Sequence, residues 1–170
     1  MATNYIRLLL VTLLLILLQA TVFNRFQLFG WGTPYLLIYS LIKLPIGISR
    51  WLALTVAFAT GLLLDFFSNT PGLNAGTLTL IALLRPAAVE LFLPKDIIDS
   101  YMPSPRIVGN GPFWRYAVSI VVFHHTIFAF AEMFSFADLA FVLTRIGVSI
   151  ASTLFFIVLF EFLAKEKVKH

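Results

Sequence analysis

Apolar segments of about twenty residues follow one another along almost the whole chain, and this repetition constrains the fold more than any other feature. A helix needs roughly 20 mostly apolar residues to cross a hydrocarbon core of about 30 Å. Six segments meet this requirement: residues 5–23, 28–48, 50–68, 73–93, 112–134 and 138–163. They predict an all-α integral membrane protein, with six transmembrane helices in one bundle and a single domain over residues 1–170.

Composition agrees with a membrane solvent. The chain is 60% hydrophobic and 12% charged, whereas a soluble domain is roughly half apolar and a quarter charged. Cysteine is absent from the sequence, which excludes disulfides, zinc–thiolate sites and iron–sulfur ligation. The net charge of +4 comes without a basic stripe interleaved with aromatics, so no nucleic-acid partner is predicted.

The first two segments need individual interpretation. NYIRLLLVTLLLILLQATVF resembles a secretory signal, but no A-x-A site follows and equally apolar segments recur, so we interpret it as the first span. The second segment is the weakest span, because Gly30, Gly32 and Pro34 crowd its start while Lys43 and Pro45 interrupt its end. Lys43 is expected to extend its ammonium to the inner surface.

Connections and basic residues together predict the orientation. Most connections are short, except for the loop 94–112, whose four Pro and two Gly exclude a continuous helix. With an inside N-terminus, the cytoplasmic side collects ten basic residues: Arg7, Lys43, Arg50, Arg85, Lys95, Arg106, Arg115, Lys165, Lys167 and Lys169. The outer side has only Arg25 and Arg145. The positive-inside rule therefore predicts that both termini, and the loop 94–112, are cytoplasmic.

The stretch GLLLDFFSNTPGLNAG, residues 61–76, places an acid just inside the end of the third span. Asp65 lies fifteen residues after Arg50, about 22 Å along the helix, near the outer boundary. In one interpretation its carboxylate accepts hydrogen bonds from free N–H groups at the start of the fourth helix, or from Asn74 and Thr77. In the other, it lines an outward-facing cavity.

Arg85 precedes Pro86 past the middle of the fourth helix, and Glu90 follows near the inner interface. Arg85 either extends to the surface at a proline kink or uses its donors to fix another helix or a bound anionic group. Both interpretations stay open from the sequence alone.

Two adjacent histidines, His124 and His125, lie within the fifth span. Adjacent helical residues point roughly 100° apart, so the pair is poorly placed to share a metal, and interhelical hydrogen bonds are predicted instead. Glu132 lies seven residues after His125, and Arg145 in the last helix is expected to pair with Glu132 or Asp138 near the outer surface. No cofactor or metal is predicted.

Small residues recur four apart at Ala53, Ala57 and Gly61, and again at Gly147 and Ala151. Such ridges let helix backbones approach closely, either within the bundle or against a partner's helix.

Enzyme signatures are missing from the sequence. It contains no HExxH helix and no P-loop, and GVSIA at 147–151 lacks the last glycine of a nucleophile elbow. Only His124, His125 and Glu132 remain as candidates for an intramembrane enzyme, and we predict a non-enzymatic protein.

The stretch 61–76 also carries a resemblance. An apolar span ending in GLLLDFF, a Pro-Gly turn and LNAG opening the next span resemble the rod shape-determining protein MreD family. The matching positions are Gly61, Asp65, Gly72 and Asn74, together with Pro34 in GTPYLLIYSLI. The chain length, six spans and basic tail agree in outline, while the long loop 94–112 departs from the family pattern.

This resemblance implies a role without a reaction. MreD proteins belong to the bacterial inner-membrane machinery of cell-wall elongation, where they work with MreC and MreB and help to position and regulate peptidoglycan synthases. Their bundle is similar to the substrate-binding subunits of energy-coupling factor vitamin transporters. The alternative function is therefore a small-molecule-binding membrane subunit, for which Asp65, Asn74, Glu132 and Arg145 would form the site.

Overall fold

The computed structural model describes residues 2–24, 32–95, 101–132 and 139–166. Within these ranges the regular structure is helical: α1 Ala2–Leu18, α2 Ile38–Ile42, α3 Arg50–Ser68, α4 Leu73–Phe92, α5 Pro105–Val108, α6 Asn110–Glu132 and α7 Leu139–Glu166. A π-helical turn, Gln19–Phe23, extends α1. Arg25, Gly30, residues 96–100 of the long loop, Asp138 and the tail with Lys167 and Lys169 lie outside the described residues.

Four of the described helices, α3, α4, α6 and α7, are long and apolar enough to cross a membrane, and Leu8–Phe23 is a shorter apolar helix. The third span was predicted at 50–68, which are the bounds of α3. The ends of α4 and α6, where they are described, lie within two residues of prediction. This agreement follows from the length of the apolar runs and from the Pro and Gly residues that separate them.

The prediction of a helix through residues 28–48 is wrong for the part that the structure describes. Residues 33–37 are non-helical, α2 is only five residues long, and the chain is irregular again from Lys43 to Ser49. Pro34 and Pro45 explain both limits, because each removes a backbone donor and disfavours helix at the residue before it. We call residues 33–48 the central segment.

The central segment is the most buried part of the chain. Residues 34–42 are all buried, and Leu37, Ile38 and Ile42 are fully inaccessible. They pack against Ile16 of α1 and against Phe113 and Ala117 of α6 in one apolar core. The segment that was the weakest membrane helix by sequence is therefore the centre around which the regular helices are arranged.

The long helices bury one side and expose apolar side chains on the other. Trp51 is 82% exposed and Phe66 is 83% exposed, and leucines cover the outer sides of α1 and α7. In water such a surface would be unfavourable, whereas in a bilayer these side chains contact acyl chains.

Two ends of the bundle are distinguished below. The turn end carries the 69–72 turn, the last residues of α6 and the first of α7. The tail end carries Lys43, the 101–109 loop and the last turns of α7; there Ile46 N–H donates to the Tyr101 carbonyl at 3.0 Å.

Candidate functional site

A close approach between α3 and α4 begins the site. A Cβ added to Gly61 would lie 2.5 Å from Ala75 Cα, so only glycine allows the first turn of α4 to pack here. Ala53 and Ala57, at the same helical spacing on α3, are buried as well. The first of the two predicted small-residue ridges is therefore used for packing inside the bundle.

Asp65, one turn after Gly61, caps the start of α4. Its Oδ1 accepts hydrogen bonds from the Asn74 N–H and the Asn74 side-chain amide at 2.9 and 2.8 Å, and from the Thr70 hydroxyl at 2.9 Å. Its Oδ2 accepts from the Ala75 N–H at 2.9 Å. The predicted capping role is confirmed, except that the Thr77 hydroxyl donates to the Leu73 carbonyl instead. A buried carboxylate with four donors is well stabilised.

The turn between the two helices uses left-handed backbone at two positions. Asn69 has φ 55° and Gly72 has φ 83°, both in the region that asparagine and glycine tolerate best. These residues reverse the chain within a few positions and direct the first N–H groups of α4 toward Asp65.

Asn74 links this hairpin to the central segment. Its Oδ1 accepts a hydrogen bond from the Tyr35 hydroxyl at 2.5 Å, and its amide nitrogen also donates to the Thr70 hydroxyl at 2.9 Å. Tyr35 in turn packs its ring against His124, with centroids 4.2 Å apart. Asn74 therefore connects α4, the 69–72 turn and the central segment in one network.

Backbone groups around Tyr35 are satisfied by side chains of distant helices. Tyr35 N–H donates to the Thr153 hydroxyl at 2.9 Å, and Leu36 N–H donates to Gln19 Oε1 at 2.7 Å. The Gln19 amide nitrogen donates to the Pro34 carbonyl at 3.1 Å. These bonds replace the helical hydrogen bonds that the non-helical segment lacks, as an apolar surrounding requires.

A cavity of about 190 Å³ lies beneath the 69–72 turn. Tyr35, Asn74 and His125 contribute to its wall, and Phe128 adds an aromatic surface. Glu132 and Arg145 are its charged lining residues in the described part of the chain. Asp65 does not line it, since both of its oxygens are used by the helix cap.

Glu132 of α6 and Arg145 of α7 form the predicted ion pair at the edge of this cavity. Arg145 Nη2 lies 3.0 Å from each carboxylate oxygen, and the two side chains are 26% and 35% exposed for Arg145 and Glu132 respectively. The alternative partner Asp138 lies outside the described residues. A half-exposed pair of this kind contributes little to stability, on the order of 0–1 kcal/mol.

The two histidines differ in their surroundings. His125 Nε2 lies 2.9 Å from the Thr153 hydroxyl, which confirms the predicted hydrogen bond between α6 and α7. For His124 the prediction is wrong, because both ring nitrogens are buried without a hydrogen-bond partner among the described residues. Its ring stacks on Phe128 instead, with centroids 5.8 Å apart. No group of three His, Cys, Asp or Glu side chains in the described ranges is placed to hold a metal.

Arg85 lies buried toward the tail end, 2% exposed. Its Nη2 donates to the Leu44 and Pro45 carbonyls at 2.5 and 3.2 Å, and its Nε donates to the Tyr116 hydroxyl at 2.9 Å. Arg85 therefore fixes the central segment to α4 and α6, as one of the two sequence interpretations proposed. Glu90, one turn after Pro86, is exposed.

A second charged cluster at the tail end was missed by sequence reasoning. Lys43 forms an ion pair with Glu161 of α7 and donates to the Pro103 carbonyl at 2.8 Å. Glu161 also accepts from the Tyr39 hydroxyl at 3.0 Å. The expectation that Lys43 extends to the surface is wrong, because an acid inside the bundle attracts its ammonium. The sequence did contain a signal for this pair. Glu161 is the one Glu within the apolar run 139–163 and Lys43 is the one Lys within 28–48, and charged residues inside apolar segments usually pair with each other.

The second small-residue ridge does not pack within the chain. Gly147 and Ala151 are exposed on α7, and a Cβ added to Gly147 would meet no atom within 4 Å.

Comparison of the chain with protein-family models, with curated proteins and with solved structures finds no match.

Proposed function

We propose that this protein is a non-enzymatic inner-membrane component of a bacterial cell-wall elongation machinery, of the MreD type. The chain then crosses the membrane six times, the second time through the mostly non-helical central segment, and both termini lie in the cytoplasm. In this proposal it binds MreC and, directly or through MreC, helps to position MreB and the peptidoglycan synthases. The turn end then faces outward and the tail end inward. The exposed apolar sides of the four long helices and of Leu8–Phe23 support a multi-pass location in lipid.

One observation carries the proposal. Four of the residues on which the resemblance rests join α3 to α4: Gly61, Asp65, Gly72 and Asn74. Asp65 and Asn74 use their polar atoms on each other, on the helix start and on Tyr35. Residues occupied in this way support a structural role for the pattern, which suits a scaffold better than an enzyme.

The test is co-purification with MreC. The chain carrying an affinity tag is coexpressed with MreC and isolated in a mild detergent, and MreC is expected to elute with it. Deletion of the gene in its host should disturb rod shape. An unrelated six-span membrane protein with the same tag is the matched control. A chain that is folded but recovers no more MreC than this control, in a host that keeps its rod shape after deletion, contradicts the proposal.

A second candidate function is a small-molecule-binding membrane subunit similar to the substrate component of a vitamin transporter. The cavity at the turn end, with an acid and a base at its edge, favours it. Native mass spectrometry of the purified chain should then detect a retained ligand. A chain that releases no small molecule, and that gains no thermal stability from any added compound, contradicts this function.

A further inference from the structure

Some hydrogen-bond donors at the turn-end cavity are engaged by other residues of the chain, and others have no acceptor among the described residues. The Thr70 hydroxyl and the Asn74 amide are fully engaged in the Asp65 network. Arg145 contacts Glu132 through Nη2 alone, so its Nε and Nη1 have no partner among the described residues. The Ser149 hydroxyl accepts from the Thr33 N–H at 3.1 Å and donates to no described acceptor.

The unused donors lie on one face of α7. Arg145 and Ser149 are four residues apart, and residues at this spacing are neighbours on a helix surface. Both line the cavity. A guanidinium edge and a hydroxyl that converge on one space favour an oxygen anion, because such groups recognise carboxylate and phosphate oxygens through charge-assisted hydrogen bonds.

The charges that line the cavity indicate which second group the anionic ligand carries. The cavity lining in the described ranges holds one acid, Glu132, and one base, Arg145. An anion that takes over Arg145 would leave the Glu132 carboxylate without its counterion at the edge of the cavity, at a cost that the exposure of Glu132 keeps small. A ligand that also presents an ammonium group to Glu132 removes this cost, because both charges keep an opposite partner.

We propose that the turn-end cavity binds a small zwitterion, whose anionic oxygens contact Arg145 and Ser149 and whose primary ammonium contacts Glu132. Binding exchanges the ion pair between α6 and α7 for two ion pairs with the ligand. The proposal rests on the second candidate function and names its ligand class. The cavity volume of about 190 Å³ restricts the bound group to a small one, with Tyr35 and Phe128 against its apolar part.

Two sources supply this chemistry, a free α-amino acid and the headgroup of an ethanolamine phospholipid. The experiment uses the full chain in nanodiscs of phosphatidylcholine, whose quaternary ammonium has no N–H to donate. Thermal unfolding is measured with alanine, with acetate as the anion alone, and with ethylamine as the cation alone. A parallel set of nanodiscs contains phosphatidylethanolamine and no added compound. The expected result is stabilisation by alanine or by phosphatidylethanolamine, and by neither half-ligand.

Variants separate a ligand site from a structural ion pair. Glu132→Gln and Arg145→Gln should each weaken binding about tenfold or more, as expected for the loss of a charged hydrogen-bond partner. The double reversal Glu132→Arg with Arg145→Glu keeps an ion pair between α6 and α7 but moves the cation away from Ser149. It should unfold at the wild-type temperature without ligand and lose the response to ligand. Thr144→Ala, an exposed neighbour whose hydroxyl donates to the Ala140 carbonyl, is the matched control and should respond as wild type.

Several outcomes overturn the inference. If acetate or ethylamine stabilises the protein as much as alanine does, the cavity binds a simple ion and the zwitterion proposal is wrong. The ligand-binding function is then retained, with a different ligand. A response that persists in Arg145→Gln or in the double reversal places the ligand elsewhere. A wild-type chain that responds to no probe, and that also carries no retained small molecule in native mass spectrometry, overturns the ligand-binding function together with the inference. The MreC co-purification is independent of all three.

Discussion

Asp65 and Arg85 are an acid and a base buried at different levels of the same helix pair, and each has two backbone groups among its hydrogen-bond partners. Asp65 accepts from two N–H groups at the start of α4. Arg85 donates to two carbonyls just after α2 ends. The charge of Asp65 matches the helix start that it contacts, because a helix start favours an anion, whereas Arg85 contacts carbonyls of the irregular chain that follows α2.

The two residues differ in how far along the chain their partners lie. Asp65 contacts residues nine and ten positions later, within one hairpin. Arg85 contacts a carbonyl 41 positions earlier and a hydroxyl 31 positions later. Asp65 therefore stabilises a local unit, whereas Arg85 holds three separate parts of the bundle together. Replacing Arg85 should affect the whole fold, and replacing Asp65 should affect one hairpin first.

The largest effect is expected at Arg85. Arg85→Met removes the Arg85 donors from the Leu44 carbonyl and the Tyr116 hydroxyl and leaves the Pro45 carbonyl with the Ile48 N–H alone, so the free energy of unfolding should fall by about 3 kcal/mol or more. Arg85→Lys keeps the charge but not the planar fork, and should lose less. Thermal unfolding of the detergent-purified variants measures both. If Arg85→Met is as stable as wild type, Arg85 does not hold the three parts of the bundle together.

Asp65→Leu should come next, with a loss of about 2 kcal/mol or more, because the N–H groups of Asn74 and Ala75 lose their acceptor. Asp65→Asn keeps Oδ1 and places an amide nitrogen toward the Ala75 N–H, so it should lose about 1 kcal/mol. Amide exchange of the first turn of α4 should rise in both variants before that of α6. An Asn variant as damaged as the Leu variant in MreC binding, yet fully folded, would assign the charge a role beyond capping.

The close approach at Gly61 gives a second test of the α3–α4 hairpin, the local unit that Asp65 stabilises. Gly61→Ala places a methyl group against the Ala75 backbone and should cost about 1–3 kcal/mol by separating α3 from α4. Gly147→Ala is the matched control, since its Cβ meets no atom within 4 Å, and it should gain up to about 1 kcal/mol from helix propensity. Similar unfolding temperatures for the two variants would contradict the packing argument.

The smallest effect is expected at the adjacent histidines. His124→Leu removes two buried nitrogens that have no partner in the described chain, so the free energy of unfolding should stay within about 0.5 kcal/mol of wild type or rise. His125→Leu removes the contact with the Thr153 hydroxyl and should lose about 1 kcal/mol. The same unfolding assay compares them. A greater loss at His124 than at His125 would mean that His124 has a partner that the contacts do not reveal.

The sequence predicted the parts of this molecule that depend on short distances along the chain. The bounds of α3 follow from the length of its apolar run. The cap by Asp65 and the Glu132–Arg145 pair each join residues on the two sides of a short connection between consecutive helices. The shape of the central segment, the groups that Arg85 contacts and the Lys43–Glu161 pair were not predicted, because most of their partners lie 31 or more residues away along the chain. An apolar run broken by Pro34 and Pro45 has the same composition whether it crosses lipid as a helix or fills a core.

The hydrogen bonds of the central segment also bear on how the chain enters the membrane. Tyr35 N–H depends on the Thr153 hydroxyl, which lies 118 residues later in the chain, so the segment leaves the ribosome long before its partner exists. Until α7 arrives, its exposed backbone groups are excluded from the hydrocarbon by their desolvation cost. Insertion should therefore finish in a late step. A chain arrested after α6 should keep the N–H groups of Thr33 and Tyr35 accessible to water in amide exchange, because their acceptors lie in α7, and their protection should appear only once α7 is added.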